Sequence, residues 1–133
     1  MALKADLNID NKTYNIIECD YEFTQIVDHQ TGRPSDRPRG GIINVILSSP
    51  GDADLKLHEW MRDKNTSKNG TITLTVNVNN IDVPKTIKFE NAYCIRLYEY
   101  FNNTNSVQMY TKISILAGTI TFGSNCHFTM FDK

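Results

Sequence analysis

Three arginines on one short stretch are the residues of this chain best equipped for chemistry. Arg33, Arg37 and Arg39 lie within Thr31-Gly32-Arg33-Pro34-Ser35-Asp36-Arg37-Pro38-Arg39-Gly40-Gly41. A guanidinium is a planar fork of donors that never loses its charge, so it grips carboxylates, phosphates or backbone carbonyls. Pro34 and Pro38 fix their own φ and push Arg33 and Arg37 toward extended geometry. Gly32, Gly40 and Gly41 mark turns at the two ends. Apart from the prolines, nothing in the stretch could anchor a core. The pattern predicts a stiffened, extended basic arm, with Arg33, Pro34, Ser35, Asp36, Arg37, Pro38 and Arg39 as its contact segment. A plain solvated loop is the competing reading.

Other reactive side chains form no constellation. His29, His58 and His127 are scattered over a loop, the polar side of a helix and the tail. Cys126-His127 is the one adjacent pair, and neighbours on an extended chain point opposite ways. Cys19, Cys94 and Cys126 lack the spacing of a zinc site or a disulfide framework. Cys19 and Cys94 fall inside strand patterns, where a free thiol acts as a small hydrophobe. There is no paired-histidine metal motif, no P-loop and no dinucleotide fingerprint. The expectation is a protein that is not an enzyme and has no catalytic residue, metal or cofactor.

The arm needs a scaffold, and 133 residues suffice for one domain, residues 1–133, with a real core. Net charge is −1, so basic character is local and nucleic acid is not the expected partner. Thiol usage points to synthesis in a reducing compartment. The start goes straight into alternation, which predicts no signal peptide, and no apolar run approaches a membrane span.

Alternation dominates the chain. Leu3, Ala5, Leu7 and Ile9 predict a half-buried strand, and Asp10-Asn11-Lys12 a tight hairpin turn. Thr13 to Val27 reads as one long strand whose parity switches between Ile16 and Ile17, the mark of a β-bulge. Ile42 to Ser48 is apolar on both parities and asks for cover on its outer side. A short helix follows and is the candidate cover. Ser49-Pro50-Gly51-Asp52 supplies its start, and Leu57, Trp60 and Met61 form its docking stripe, with Ala53 preceding them. Ile72, Leu74, Val76 and Val78 alternate with threonines, and Asn79-Asn80-Ile81-Asp82 turns the chain back. Val83 to Tyr100 is a second long strand, with Ile87, Phe89, Tyr93, Ile95 and Leu97 on one face. Val107 to Ala117 is the last strand, extended by Gly118 to Phe122. The tail 123–133 has no clear period. Six strands and one helix with hairpin connections predict a mainly β fold: an antiparallel barrel or two-sheet structure with one short α-helix and a long extended loop.

Several of these pieces stand in a telling order: Gly32-Arg33-Pro34-Ser35 with Arg37 and Arg39-Gly40-Gly41, then Glu59-Trp60-Met61, then Ile87-Lys88-Phe89-Glu90-Asn91-Ala92-Tyr93-Cys94. Together they resemble the haemolysin-coregulated protein family, the tube protein of type VI secretion systems, in its divergent branch. The resemblance runs from the Lys4 strand to about Phe122 and is weakest after Gly123. It implies a contractile-tail tube fold whose hexameric rings stack into a hollow tube, driven out of the cell by a contracting sheath with a spike at its tip. It implies assembly in the cytoplasm, release without a signal peptide, and effectors carried in the ring lumen. No membrane insertion is expected.

The alternative is a small ligand- or oligonucleotide-binding β-barrel. Such a module needs a basic, aromatic groove, and Arg96, Tyr98 and Tyr100 on one strand face are its nearest equivalent.

Overall fold

Asp10 and Asn11 both take positive φ, 55° and 62°. That is the geometry of a two-residue turn whose twist matches that of the strands it joins. In the computed structural model, which describes residues 4–25, 27–34, 39–48, 55–101, 103–104, 109–124 and 126–129, this turn connects β1 (Lys4–Ile9) to β2 (Lys12–Thr24). The chain continues through β3 (Arg39–Ser48), α1 (Lys56–Arg62), β4 (Lys68–Val78), β5 (Ile81–Phe101), β6 (Met109–Leu116), β7 (Thr119–Phe122) and β8 (Cys126–Thr129). Asn79 and Asn80, with φ of 51° and 65°, repeat the same turn between β4 and β5.

The strand order is β4-β1-β2-β3-β6-β5-β7-β8, and β4 also pairs with β5. That pairing closes six antiparallel strands into a barrel and leaves β7 and β8 as a flap on β5. Two long strands bend through both halves of it. β2 pairs with β1 up to Asn15 and with β3 from Ile16 onward. β5 pairs with β4 up to Ala92 and with β6 from Tyr93 onward. The first half is therefore β1, β4 and the early parts of β2 and β5. The second half is β3, β6 and the later parts of β2 and β5.

Each long strand changes parity where it crosses between halves. In β2 the register shifts between Ile16 and Glu18, as the sequence predicts. Ile17 is the extra residue and is 44% exposed, so although it shares sequence parity with Cys19 and Tyr21 it does not join them on the inward face. In β5 there are two changes that sequence alternation did not reveal. Asn91 takes φ 53°, and its N–H donates to Asn69 Oδ1 at 3.0 Å. A second shift follows between Cys94 and Arg96. Ala92 and Cys94 consequently turn inward and Ile95 outward, the reverse of the expected faces.

The core fills the barrel with Leu7, Ile43, Val45, Ile72, Phe89 and Ile115 among others. Gly70 is required there, because a Cβ would overlap the Phe89 ring and the Asn8 carbonyl oxygen. α1 seals the barrel against β5 and does not cover the outer side of β3. Its buried residues are Leu57 and Trp60, and Trp60 Nε1–H donates to the Ala92 carbonyl at 3.2 Å. Met61 is 39% exposed, so it is not part of the docking stripe. A helix stripe is about a third of the circumference, and Met61 falls just past its margin. The predicted helix start, from Ser49 to Ala53, lies outside the described residues, as does Val107.

The tail contributes structure where none was expected. β8 pairs with β7, and the Phe128 ring stacks on Phe23 at 4.1 Å between centroids. Phe122 meets both rings edge-on, at 5.9 Å from Phe128 and 6.0 Å from Phe23. The described residues thus form eight strands, against the six expected.

Candidate functional site

Backbone hydrogen bonding in the second half is incomplete. From Glu18 to Phe23, β2 pairs with β3 on one side, and from Ile95 to Glu99, β5 pairs with β6 on one side. No other described strand pairs along either remaining edge. Such edges display unpaired N–H and C=O groups and invite another strand. Within the order β2-β3-β6-β5 every neighbouring pair is antiparallel. The two open edges therefore run in opposite directions.

The outward face of this half is mixed in character. Ile42 is 40% exposed and Ile46 half-buried, with no described element over them. Tyr98 lies near Ile46, and Lys112 Nζ stands 5.8 Å from its ring centroid. A shallow groove of about 270 Å³ crosses the face, with Glu18, Asp20, Asn44 and Ser114 lining it alongside Arg96 and Lys112. Carboxylates at Glu18 and Asp20 oppose a nucleic-acid backbone on this face, so the weak resemblance of Arg96, Tyr98 and Tyr100 to an oligonucleotide groove gains no support.

The arm hangs from one end of the barrel. Thr24 and Arg39 are the last paired residues of β2 and β3. At its root the chain folds into a narrow ribbon. Val27 bridges Pro34, Asp28 N–H donates to the Arg33 carbonyl at 2.8 Å, and Gly32 N–H to the Asp28 carbonyl at 2.8 Å. Arg33 is exposed. Ser35, Asp36, Arg37 and Pro38 lie outside the described residues. Gly40 has φ 150° and sits opposite Phe23 at a bulge, where a Cβ would overlap the Glu22 carbonyl. The tip of the β4–β5 hairpin reaches the same end, since Lys85 Nζ stands 6.0 Å from the Tyr21 ring. Val78 and Ile81, paired at that tip, are exposed.

This barrel, with open edges on one half and a basic arm at one end, matches a family model over residues 1–129: hemolysin coregulated protein Hcp (TssD). The chain belongs to the Hcp family. Hcp1 from Flavobacterium johnsoniae is similar to it at 27% identity with a TM-score of 0.77, covering 95% of this chain and 98% of that one. Hcp1 from E. coli EAEC 042 shares the fold at 8% identity with a TM-score of 0.69, covering 98% and 99% of the two chains. The sheath/tube terminator of an extracellular contractile injection system, PVC, shares it more loosely, at 18% identity and a TM-score of 0.52, covering 90% and 93%. No curated protein sequence matches the chain. The fold is that of a tube-forming structural protein, and the Hcp family is one of structural subunits, not of enzymes.

For an Hcp subunit, the features that do no chemistry are as informative as those that bind. Burial pushes the Cys19 thiol up to about 11, helped by the Asp20 carboxylate beside it. Burial likewise raises Cys94 to about 11, partly offset by a backbone hydrogen bond from Arg96. Neither thiol is a nucleophile at neutral pH. Among the described residues no group of His, Cys, Asp and Glu could hold a metal ion. His58, on α1, meets Glu99 at 3.0 Å and ties the helix to β5. Of the residues singled out from sequence, Leu57 and Trp60 meet in the core, while Arg33 stands apart at the barrel end. Sequence reasoning did not locate the open edges on particular strands. The only signal was the apolar outer parity of Ile42 and Ile46.

Proposed function

We propose that this Hcp-family chain is a subunit of the type VI secretion inner tube, forming hexameric rings that stack into a hollow cylinder. The observation that carries the proposal is the pair of open edges on the second half, running in opposite directions. One edge of each copy then completes the ladder of the next in the ordinary antiparallel sense. Head-to-tail contacts that close make a ring. The rest of each body needs the larger circumference, so the outward face of the second half lines the lumen. Stacking falls to the barrel ends. The arm, with Arg33, Pro34, Ser35, Asp36, Arg37, Pro38 and Arg39, is rooted at the barrel end that also carries the apolar tip at Val78 and Ile81. It is suited to reaching the neighbouring ring and not to closing its own.

In this role the tube forms in the cytoplasm and leaves the cell with the spike protein when the sheath contracts. Effector proteins occupy the lumen, against Ile42, Ile46 and Tyr98. Light scattering coupled to size-exclusion chromatography, followed by negative-stain microscopy, tests the assembly. Ring particles are the expected result. A clean monomer throughout the micromolar range would overturn the proposal and favour a small binding barrel.

A further inference from the structure

Four polar residues stand level with one another across the second half. Asp20 is opposite Asn44, Asn44 opposite Ser114, and Ser114 opposite Arg96. The Ser114 hydroxyl donates to Asn44 Oδ1 at 2.6 Å, and Asn44 Nδ2 donates to Asp20 Oδ1 at 3.0 Å. The row starts with a carboxylate on one open edge and ends with a guanidinium on the other. Asp20 and Arg96 are both exposed. They sit three strand spacings apart, roughly 14 Å, so they cannot meet within one chain. Arg96 makes no ion pair with a described residue.

We infer that Arg96 of one copy pairs with Asp20 of the next, and that this pair fixes the register in which the two open edges join. The inference rests on the proposed ring. Three observations bring the pair together. The edges run in opposite directions, so an antiparallel ladder can form between them. Asp20 and Arg96 line the same outward groove, so both stay on one face when the pleat continues across the seam. The charges are complementary, and Asp20 is already oriented by Asn44. A residue's partners step backward along an antiparallel strand, so the same register sets Glu18 opposite Tyr98. That brings a second carboxylate toward Lys112, whose ammonium rests by the Tyr98 ring. Each seam thereby joins an acidic strand edge to a basic one. A polar band then runs unbroken round the lumen: carboxylate, amide, hydroxyl, guanidinium.

Charge reversal tests this on the full chain. Asp20→Arg, Arg96→Asp and their combination are compared with the wild type by native mass spectrometry, with circular dichroism as the check on folding. Each single reversal sets like charges across the seam and should weaken ring association by at least about tenfold. The double reversal should restore most of it. The difference between wild type and single variants should shrink in high salt, as exposed pairs are screened. Where a reversal does not fold, Asp20→Asn and Arg96→Gln take its place, each expected to weaken association by roughly fivefold. Wild-type rings that withstand both single changes would overturn the pairing and leave the tube reading intact. Rescue of Arg96→Asp by Glu18→Arg and not by Asp20→Arg would overturn the register. A wild type that forms no ring would overturn the tube reading and the pairing with it.

Discussion

The two halves of the barrel share β2 and β5 yet end differently. In the first half β4 lies between β1 and β5, and its Thr71, Thr73 and Thr75 present a half-buried polar outer face. In that half β1 and β4 link the two long strands within one chain. In the second half the same two long strands run past their partners and leave an edge each, beneath an outer face where Ile42 and Tyr98 stay exposed. Bulges and the left-handed Asn91 mark the border between the two. Under the proposed ring, stability and assembly fall on different features of the same strands: the buried core and the helix hold the fold, and the second half's rim is left for other copies.

If that division holds, damage to the core should unfold the protein, whereas damage at the rim or arm should spare the fold. The largest effect is expected at the helix anchor. Trp60→Ala removes a side chain that is 1% exposed and should cost about 3–5 kcal/mol in chemical denaturation. Met61→Ala, one residue on, should stay within about 0.5 kcal/mol. Equal losses for both would mean that α1 docks by a different face. Gly70→Ala drives a methyl into Phe89 and the Asn8 carbonyl, and overpacking of that kind costs about 1–3 kcal/mol. Its thermal midpoint should drop, whereas Asp20 or Arg96 variants should keep theirs.

Phe128→Ala comes next. It should loosen β8 from Phe23 at a cost of about 1–2 kcal/mol, read as faster amide exchange over residues 126–129 with the barrel still protected. The triple change Arg33→Ala, Arg37→Ala, Arg39→Ala should leave stability within about 0.5 kcal/mol, and microscopy should find separate rings where the wild type stacks. Loss of the rings themselves would move the arm from the stacking end to the seam. The last effect concerns the thiols and appears only at alkaline pH. Cys19 and Cys94 titrate near 11 in the fold and near 9 when unfolded, so the unfolded chain releases its protons first. Stability should be flat below pH 9 and decline as pH rises toward 11. Maleimide at neutral pH should label the exposed Cys126 well ahead of both.

The physical origin of each signal explains what could be foreseen. Local rules were legible: Asp10-Asn11 and Asn79-Asn80 have to take positive φ in a tight hairpin, and the parity switch at Ile16 is written in the order of apolar residues. Trp60 was legible as a core anchor because a lone short helix has little else to bury. β8 was not, because four residues with one half-buried phenylalanine carry no period; its partner, Phe23, is a hundred positions away. The double switch in β5 escaped for a related reason. Asn91 reads as an ordinary outward residue until its φ is known, and Ala92 and Cys94 are small enough to suit either face. An open edge has no signature at all in composition, since it is a property of which strand fails to arrive. The basic, proline-spaced composition of the arm is plain in the sequence, while the ribbon from Val27 to Pro34 depends on backbone bonds that no side chain announces.

An even number of strands in the second half has a consequence for size. Because its rims point in opposite senses, identical copies can be added one after another with every new seam satisfied alike, whatever the total. Hydrogen bonding therefore does not choose the girth of the cylinder. Curvature must choose it, and curvature resides where the ladder is locally overwound: at Ile16/Glu18, Tyr21/Phe23 and Cys94/Arg96. If rings form as proposed, removing one of those three irregularities should yield cylinders of a different diameter before it yields none.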